Sequence, residues 1–316
     1  MKDNKTFLDT YKKYIRKGWY DSVFSTPTLE RWCGNFIAQP GNEFDPQICA
    51  HFLLNSLIFY QEKQLEAIIV QIQDQIKREL NERLEDQYGY RLSDEDIETA
   101  WESYKAQSYI VAAALPQYVG DSAHQASRLW RNITDIDVGS VLELTKVIEQ
   151  RGKKHVFFVD DFVGTGNKIM SFFSECYSEN GENKGIEHIR NVIGEKKDQV
   201  DFNVAVYAIY EKGMDDVKEK YPYLNIYYGD IYTKEYNVLS SDCVLYDLFE
   251  DDKDDIIAYL NDKLQEFSVN KYVLNLPISF HHGCPNNSLP LYYASTPKWC
   301  RLLSESHPRR TLRRGG

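Results

Sequence analysis

The chain has 316 residues, 42% of them hydrophobic and 27% charged, and its 37 Lys and Arg against 48 Asp and Glu leave a formal net charge of −11. That length and composition exclude a disordered or fibrous protein and suit either one decorated domain or two modest ones. An acidic chain of this kind sets up no long-range attraction for DNA or RNA, so nucleic-acid binding is not indicated by charge. No run approaches the roughly 18 consecutive apolar residues of a membrane span. Met1 to Arg16 lacks the charged-then-apolar pattern of a secretory signal, so a cytoplasmic location without membrane association is expected. The cysteines are dispersed without metal or redox spacing and are expected to be reduced thiols.

Residues 1–106 read as helical. Asp45-Pro46 offers a cap followed by proline, and from there Ile48, Phe52, Leu53, Leu57, Leu65, Ile69, Ile72, Ile76, Leu80 and Leu84 recur at threes and fours. The run is either one helix of about 60 Å or two helices broken near Gln61. It serves either as an arm for a second copy or partner, or as a hairpin covering the core. Ser93, with Asp96 three residues on, caps a further helix that ends around Lys105.

Residues 107–246 change character. Short apolar runs at Tyr109–Leu115, His155–Val159, Phe202–Tyr210 and Leu224–Tyr228 alternate with amphipathic stretches at 122–132, 140–150, 165–177 and 214–221. Buried strands alternating with helices predict an α/β core on a parallel sheet. Residues 178–200 read as a polar insertion, residues 247–303 as a helix over Ile256–Phe267 and a C-terminal segment, and 304–316 as a basic flexible tail.

The most informative segment is Val156-Phe157-Phe158-Val159-Asp160-Asp161-Phe162-Val163-Gly164-Thr165-Gly166-Asn167-Lys168. An apolar strand ends in two carboxylates, and a glycine-flanked threonine opens the next helix. In open α/β sheets ligands bind at that end of the strands. The glycines let backbone N–H groups curl round a phosphate, Thr165 adds a hydroxyl, and the helix dipole favours an anion. Asp160 and Asp161 are suited to accept hydrogen bonds from the vicinal hydroxyls of a ribose. No Gly-Lys-Ser/Thr follows the first glycine at the distance a Walker A loop needs, and the dinucleotide fingerprint is also missing.

The order of strand, acidic pair, two intervening residues and Gly-Thr-Gly turn resembles the phosphoribosyl pyrophosphate (PRPP) loop of type I phosphoribosyltransferases. Asn167 stands where many members of that family have threonine. The resemblance implies a parallel-sheet type I phosphoribosyltransferase core with a helical N-terminal extension and a C-terminal hood. It implies that Asp160 and Asp161 are catalytic and that Val163, Gly164, Thr165, Gly166, Asn167 and Lys168 hold phosphate and ribose. It also implies a pyrophosphate loop at Val119-Gly120-Asp121-Ser122, with Ser122 capping a helix that carries Arg128 and Arg131. The family often has a basic residue in that loop, whereas this chain has Asp121.

The segment Pro285-Asn286-Asn287-Ser288-Leu289-Pro290, preceded by His281-His282, looks like an element of phosphoribosyltransferase-like proteins from bacterial conflict, or anti-phage, systems. The resemblance spans about residues 30 to 303, with these two motifs as its specific parts. His282, Asn286 and Asn287 either close over a base or satisfy a buried turn, and Tyr210 with Lys212 occupies a base-facing position or a plain strand end. Adjacent histidines diverge and no third ligand is evident, so the protein itself is expected to hold no metal. The implied cofactor is Mg²⁺ bound mainly through PRPP. The implied activity is pentosyl transfer to a base, or cleavage of a nucleotide, by an anti-phage effector. The alternative is a non-catalytic PRPP or nucleotide sensor, or a subunit of a defence complex that meets a partner or second copy through the N-terminal helices.

Overall fold

The computed structural model describes residues 26–38, 43–115, 121–175, 177–179, 182–267 and 273–303. Gly120 and the tail 304–316 lie outside the described residues. In chain order the elements are α1 (Thr26–Cys33), α2 (Gln47–Ser56), β1 (Ile58–Tyr60), α3 (Glu62–Tyr88), α4 (Asp94–Ala106), β2 (Ser108–Ala112), α5 (Ser122–Thr134), β3 (Val138–Gly139), α6 (Leu144–Arg151), β4 (His155–Val163) and α7 (Asn167–Glu175). There follow β5 (Tyr177–Glu179), β6 (Glu182–Lys184), α8 (Ile186–Val192), β7 (Asp201–Tyr210), α9 (Glu211–Lys220), β8 (Asn225–Tyr232), α10 (Lys253–Leu264), β9 (Ile278–Phe280) and α11 (Pro290–Tyr293).

The helix caps follow the local sequence. Asp45 Oδ1 accepts the Gln47 N–H at 3.0 Å and opens α2. Ser93 Oγ accepts the Asp96 N–H at 3.2 Å while Asp96 Oδ2 accepts the Ser93 N–H at 3.4 Å, a reciprocal box that opens α4. Of the two readings of the run from Ile48 to Leu84, the structure has two helices with the break just before Gln61: α2 ends at Ser56, Leu57 is extended, and Ile58–Tyr60 form a strand before α3 begins at Glu62. The reason is a distant partner, because Ile58, Phe59 and Tyr60 pair in parallel with Ile278, Ser279 and Phe280.

By spatial grouping the chain divides into two units, residues 1–62 with 233–316, and residues 63–232. This division cuts across the segments read from the sequence. Helices α3 and α4 belong with the sheet: Tyr227 donates its hydroxyl to Glu79 at 2.9 Å, and the Tyr104 ring stacks on His155 at 3.8 Å. Residues 233–246 belong with the other unit, through Val238, Cys243 and Tyr246.

In the first unit residues from 29–59 and 238–303 share one aromatic core. Trp32 donates its indole N–H to the Leu291 carbonyl at 2.8 Å, Tyr292 donates its hydroxyl to the Leu53 carbonyl at 2.7 Å, and the Phe52 and Tyr246 rings stack at 4.2 Å. Buried Tyr and Trp find partners for their polar ends in this way.

In the second unit β3, β2, β4, β7 and β8 lie in that order in one all-parallel sheet. Val111, Phe158, Val204 and Ile226 face each other across four strands. Val156, Phe158, Val204 and Val206 share a core with Leu144, Phe172, Phe173 and Val217 from the helices on that face. Phe157 turns to the opposite face, where its ring meets Tyr104 at 6.5 Å and Tyr227 at 6.3 Å. Burial on both faces explains why these strands read as continuous apolar runs. The chain passes from β2 outward to β3, then returns to the other side of β2 as β4, so strand order reverses between β2 and β4. At such a switch point the connections leaving neighbouring strands diverge and open a crevice.

Candidate functional site

The acidic pair lies within β4, with Asp161 two residues before the strand ends at Val163. Asp160 is 0% exposed and Asp161 4%, and Asp160 Oδ1 accepts the Asp161 N–H at 2.9 Å. The chain then turns through Gly164, Thr165 and Gly166 into α7. Gly166 has φ +76°, a left-handed conformation that β-carbons resist, which is why glycine closes the turn. Asn167 donates its side-chain amide to Thr165 Oγ1 at 3.0 Å, so the residue that replaces the family's threonine braces the turn's hydroxyl. The first amide groups of α7 have no carbonyl within their own helix to bond and carry the positive end of its dipole.

Lys168 is the centre of the polar arrangement. Its ammonium stands 2.6 Å from Asp121 Oδ1 and 2.9 and 2.8 Å from Asp160 Oδ1 and Oδ2. One side chain thus spans the switch point, from the helix after β4 to the start of the helix after β2. Burial pushes the Asp160 carboxyl well above the ordinary carboxylate range; Asp161 and Asp121 push the same way, and the Lys168 ammonium pulls against them. Burial also works against charge on Lys168, yet the carboxylates of Asp160, Asp121 and Asp161 outweigh it and hold the ammonium above its usual range.

The capping expectation at α5 is corrected. Asp121 caps that helix, its Oδ1 accepting the Ala123 N–H at 2.9 Å, and Ser122 is the first helical residue. A carboxylate is the stronger acceptor and suits the positive end of the dipole better. The α5 terminus, where a pyrophosphate was expected, therefore carries its own anion, and Arg128 lies exposed well along the helix.

A residue that sequence reading passed over fixes the turn from behind. Gly213, in the first turn of α9, lies so close to the Gly164 carbonyl that an added Cβ would overlap it, and that Cβ would stand 2.9 Å from the Gly164 carbonyl carbon and 3.0 Å from the Gly166 nitrogen. The available signal was a glycine at the junction between the apolar run 202–210 and the amphipathic stretch 214–221, where a close backbone approach is one reason for glycine.

The remaining candidates divide between the units. Tyr210 ends β7, half-buried, and exposed Lys212 pairs with Asp216 one turn on at 3.0 and 3.2 Å. His282, Asn286 and Asn287 belong to the first unit. There the His282 ring stacks on Phe280 at 5.5 Å, and the Asn287 carbonyl accepts the N–H groups of Leu274 and Leu276 at 3.1 and 3.3 Å. The backbone at Asn287 therefore ties its segment to residues 274–276.

Among the described residues no group of three or more His, Cys, Asp and Glu side chains is disposed to hold a metal. The oxygens of Asp160 and Asp121 that converge are turned on Lys168. The residues present do not fit a magnesium held by the protein, whereas an ion carried on a ligand's phosphates asks for no such group.

The five-stranded parallel sheet is the core of a phosphoribosyltransferase-like protein. The chain belongs to the PRTase-CE family, whose sequence model matches residues 29–304. Among solved structures, the one described as "Structure of AQ2163 protein from Aquifex aeolicus" matches with 9% identity and a TM-score of 0.24, over 41% of this chain and 56% of that one. This chain thus matches little more than half of that protein's length. No curated protein matches the chain. Among the described residues no helix is long and apolar enough to cross a membrane.

Proposed function

We propose that the chain binds PRPP or a nucleotide at the turn 164–167 and transfers or cleaves a ribose-5-phosphate-linked base, as an effector of anti-phage defence. The observation that carries the binding is the position of the Gly-Thr-Gly turn and the acidic pair at the switch point of the parallel sheet. The 5′-phosphate would lie on the amides opening α7, and the ribose hydroxyls toward Asp161. Departure of pyrophosphate from PRPP, or of the base from a nucleotide, with the C1 bonding pair would leave an oxocarbenium-like centre, which the carboxylates would stabilise until a base nitrogen or water captured it. The defence setting rests on the Pro-Asn-Asn-Ser-Leu-Pro element taken together with the Asp-Asp-Phe-Val-Gly-Thr-Gly run. A partner or second copy is proposed to engage the N-terminal helices, of which α3 has no buried residue beyond Ile76.

The second reading is a sensor that binds without turnover. It is favoured by the Asp121 carboxylate on the α5 terminus and by Lys168 on both oxygens of Asp160, which leave little for a pyrophosphate leaving group to gain. Incubation with PRPP and pooled bases, and separately with nucleotides, decides between them. Release of pyrophosphate or free base by the wild type, lost in Asp160→Asn/Asp161→Asn, is expected of the enzyme. Saturable binding without product favours the sensor.

A further inference from the structure

We propose that Lys168 is the resident cation of this site: its ammonium stands where a divalent ion would bridge Asp160 and Asp121, so that a ribose phosphate binds without any metal held by the protein. The inference deepens the ribose-phosphate reading and takes its functional meaning from it. Three carboxylate oxygens from two residues converge on Nζ at 2.6, 2.9 and 2.8 Å. Oxygen-ligated Mg²⁺ and Ca²⁺ take their ligands at about 2.0–2.6 Å, so a small inward shift of the same oxygens would make a metal site. The oxygens come from separate segments, the cap of α5 and the strand β4, and the cation between them offsets the repulsion of their approach. Asp160 is wholly buried, so the charge that balances it has to come from inside the fold. A lysine supplied by α7 does this permanently, and it ties the phosphate turn to the α5 terminus whether or not a ligand is bound.

The test has one arm with metal alone and one with ligand. In the first, Mn²⁺ is titrated into the full chain and followed by its paramagnetic resonance and by Tm. The wild type is expected to hold no Mn²⁺ at roughly millimolar concentration, whereas Lys168→Met gains a site and is stabilised by the ion. Lys168→Arg, which keeps the charge, is expected to fold and to gain none. A wild-type Mn²⁺ site that Asp160→Asn abolishes overturns the proposal, as does a folded Lys168→Met that gains nothing. Should Lys168→Met fail to fold, the wild-type titration decides alone.

In the second arm ribose 5-phosphate, which lacks a chelating pyrophosphate, is titrated in Mg²⁺ and in chelator. Affinities equal within about twofold are expected, and a loss of about tenfold or more in chelator overturns the proposal. Absence of binding in both buffers contradicts the ribose-phosphate reading, and the metal arm still decides what Lys168 does.

Discussion

Lys168→Met is expected to destabilise the protein by about 3–5 kcal/mol, the range for leaving a buried charge without its partner, although the Lys168 side chain itself is 30% exposed. The ammonium lies within hydrogen-bonding distance of both Asp160 and Asp121, and Asp160 has no exposed surface on which water could replace it. Methionine keeps an unbranched stem one atom shorter and removes the ammonium together with its hydrogen bonds to Asp121 and Asp160, so packing loss is a small part of the effect. The loss should also depend on pH in a definite direction. In the variant, Asp160 keeps the upward push of burial, Asp161 and Asp121 and loses the downward pull of Lys168. A carboxyl whose folded-state value lies above its unfolded value contributes stability below the unfolded value and loses it as pH rises through the folded one. Lys168→Met should therefore be less impaired in acid than at neutral pH. Denaturant midpoints for both proteins at two pH values measure this, and a variant within about 1 kcal/mol of wild type at neutral pH would contradict the ion-pair account.

Gly213→Ala is expected to destabilise by about 1–3 kcal/mol and to weaken ligand binding by about tenfold or more. Two opposing terms set the sign. In an exposed helix the change would stabilise by about 1 kcal/mol through propensity. Here the new methyl meets backbone atoms of Gly164 and Gly166, which have no rotamer to move away through, so either the turn or α9 has to shift. A shift of the turn moves the amides proposed to face the phosphate, so stability and binding should fall together. Thermal unfolding and titration of the variant read the two quantities separately, and a Tm above wild type would show that the propensity term prevails.

The parts of the fold that were legible in the sequence are those carried by contiguous residues. The apolar run of β4, the acidic pair and the Gly-Thr-Gly turn lie in one stretch, and their order alone identifies a strand, a turn and a helix start. The Ser93 cap was readable for the same reason. What the sequence concealed depends on partners far along the chain. Residues 58–60 look helical in period because Leu57 and Leu65 continue the stripe, and only pairing with 278–280 makes them a strand. Asp121 and Lys168 are 47 residues apart, and nothing in their spacing announces that they meet. The pyrophosphate reading of 119–122 treated Asp121 as an oddity within a loop, whereas in three dimensions it is a helix cap and the far end of an ion pair. A motif thus pointed to the candidate site, but the charges arranged around it became visible only in the folded chain.

The central claim, that the turn after β4 holds a ribose 5-phosphate, is tested most directly by calorimetric titration of the wild-type chain with PRPP and with nucleoside monophosphates. The account predicts saturable heat for at least one of them at one site per chain, abolished by Asp161→Asn in a variant that still unfolds cooperatively. A wild-type chain that gives no binding heat with any of these ligands would contradict it.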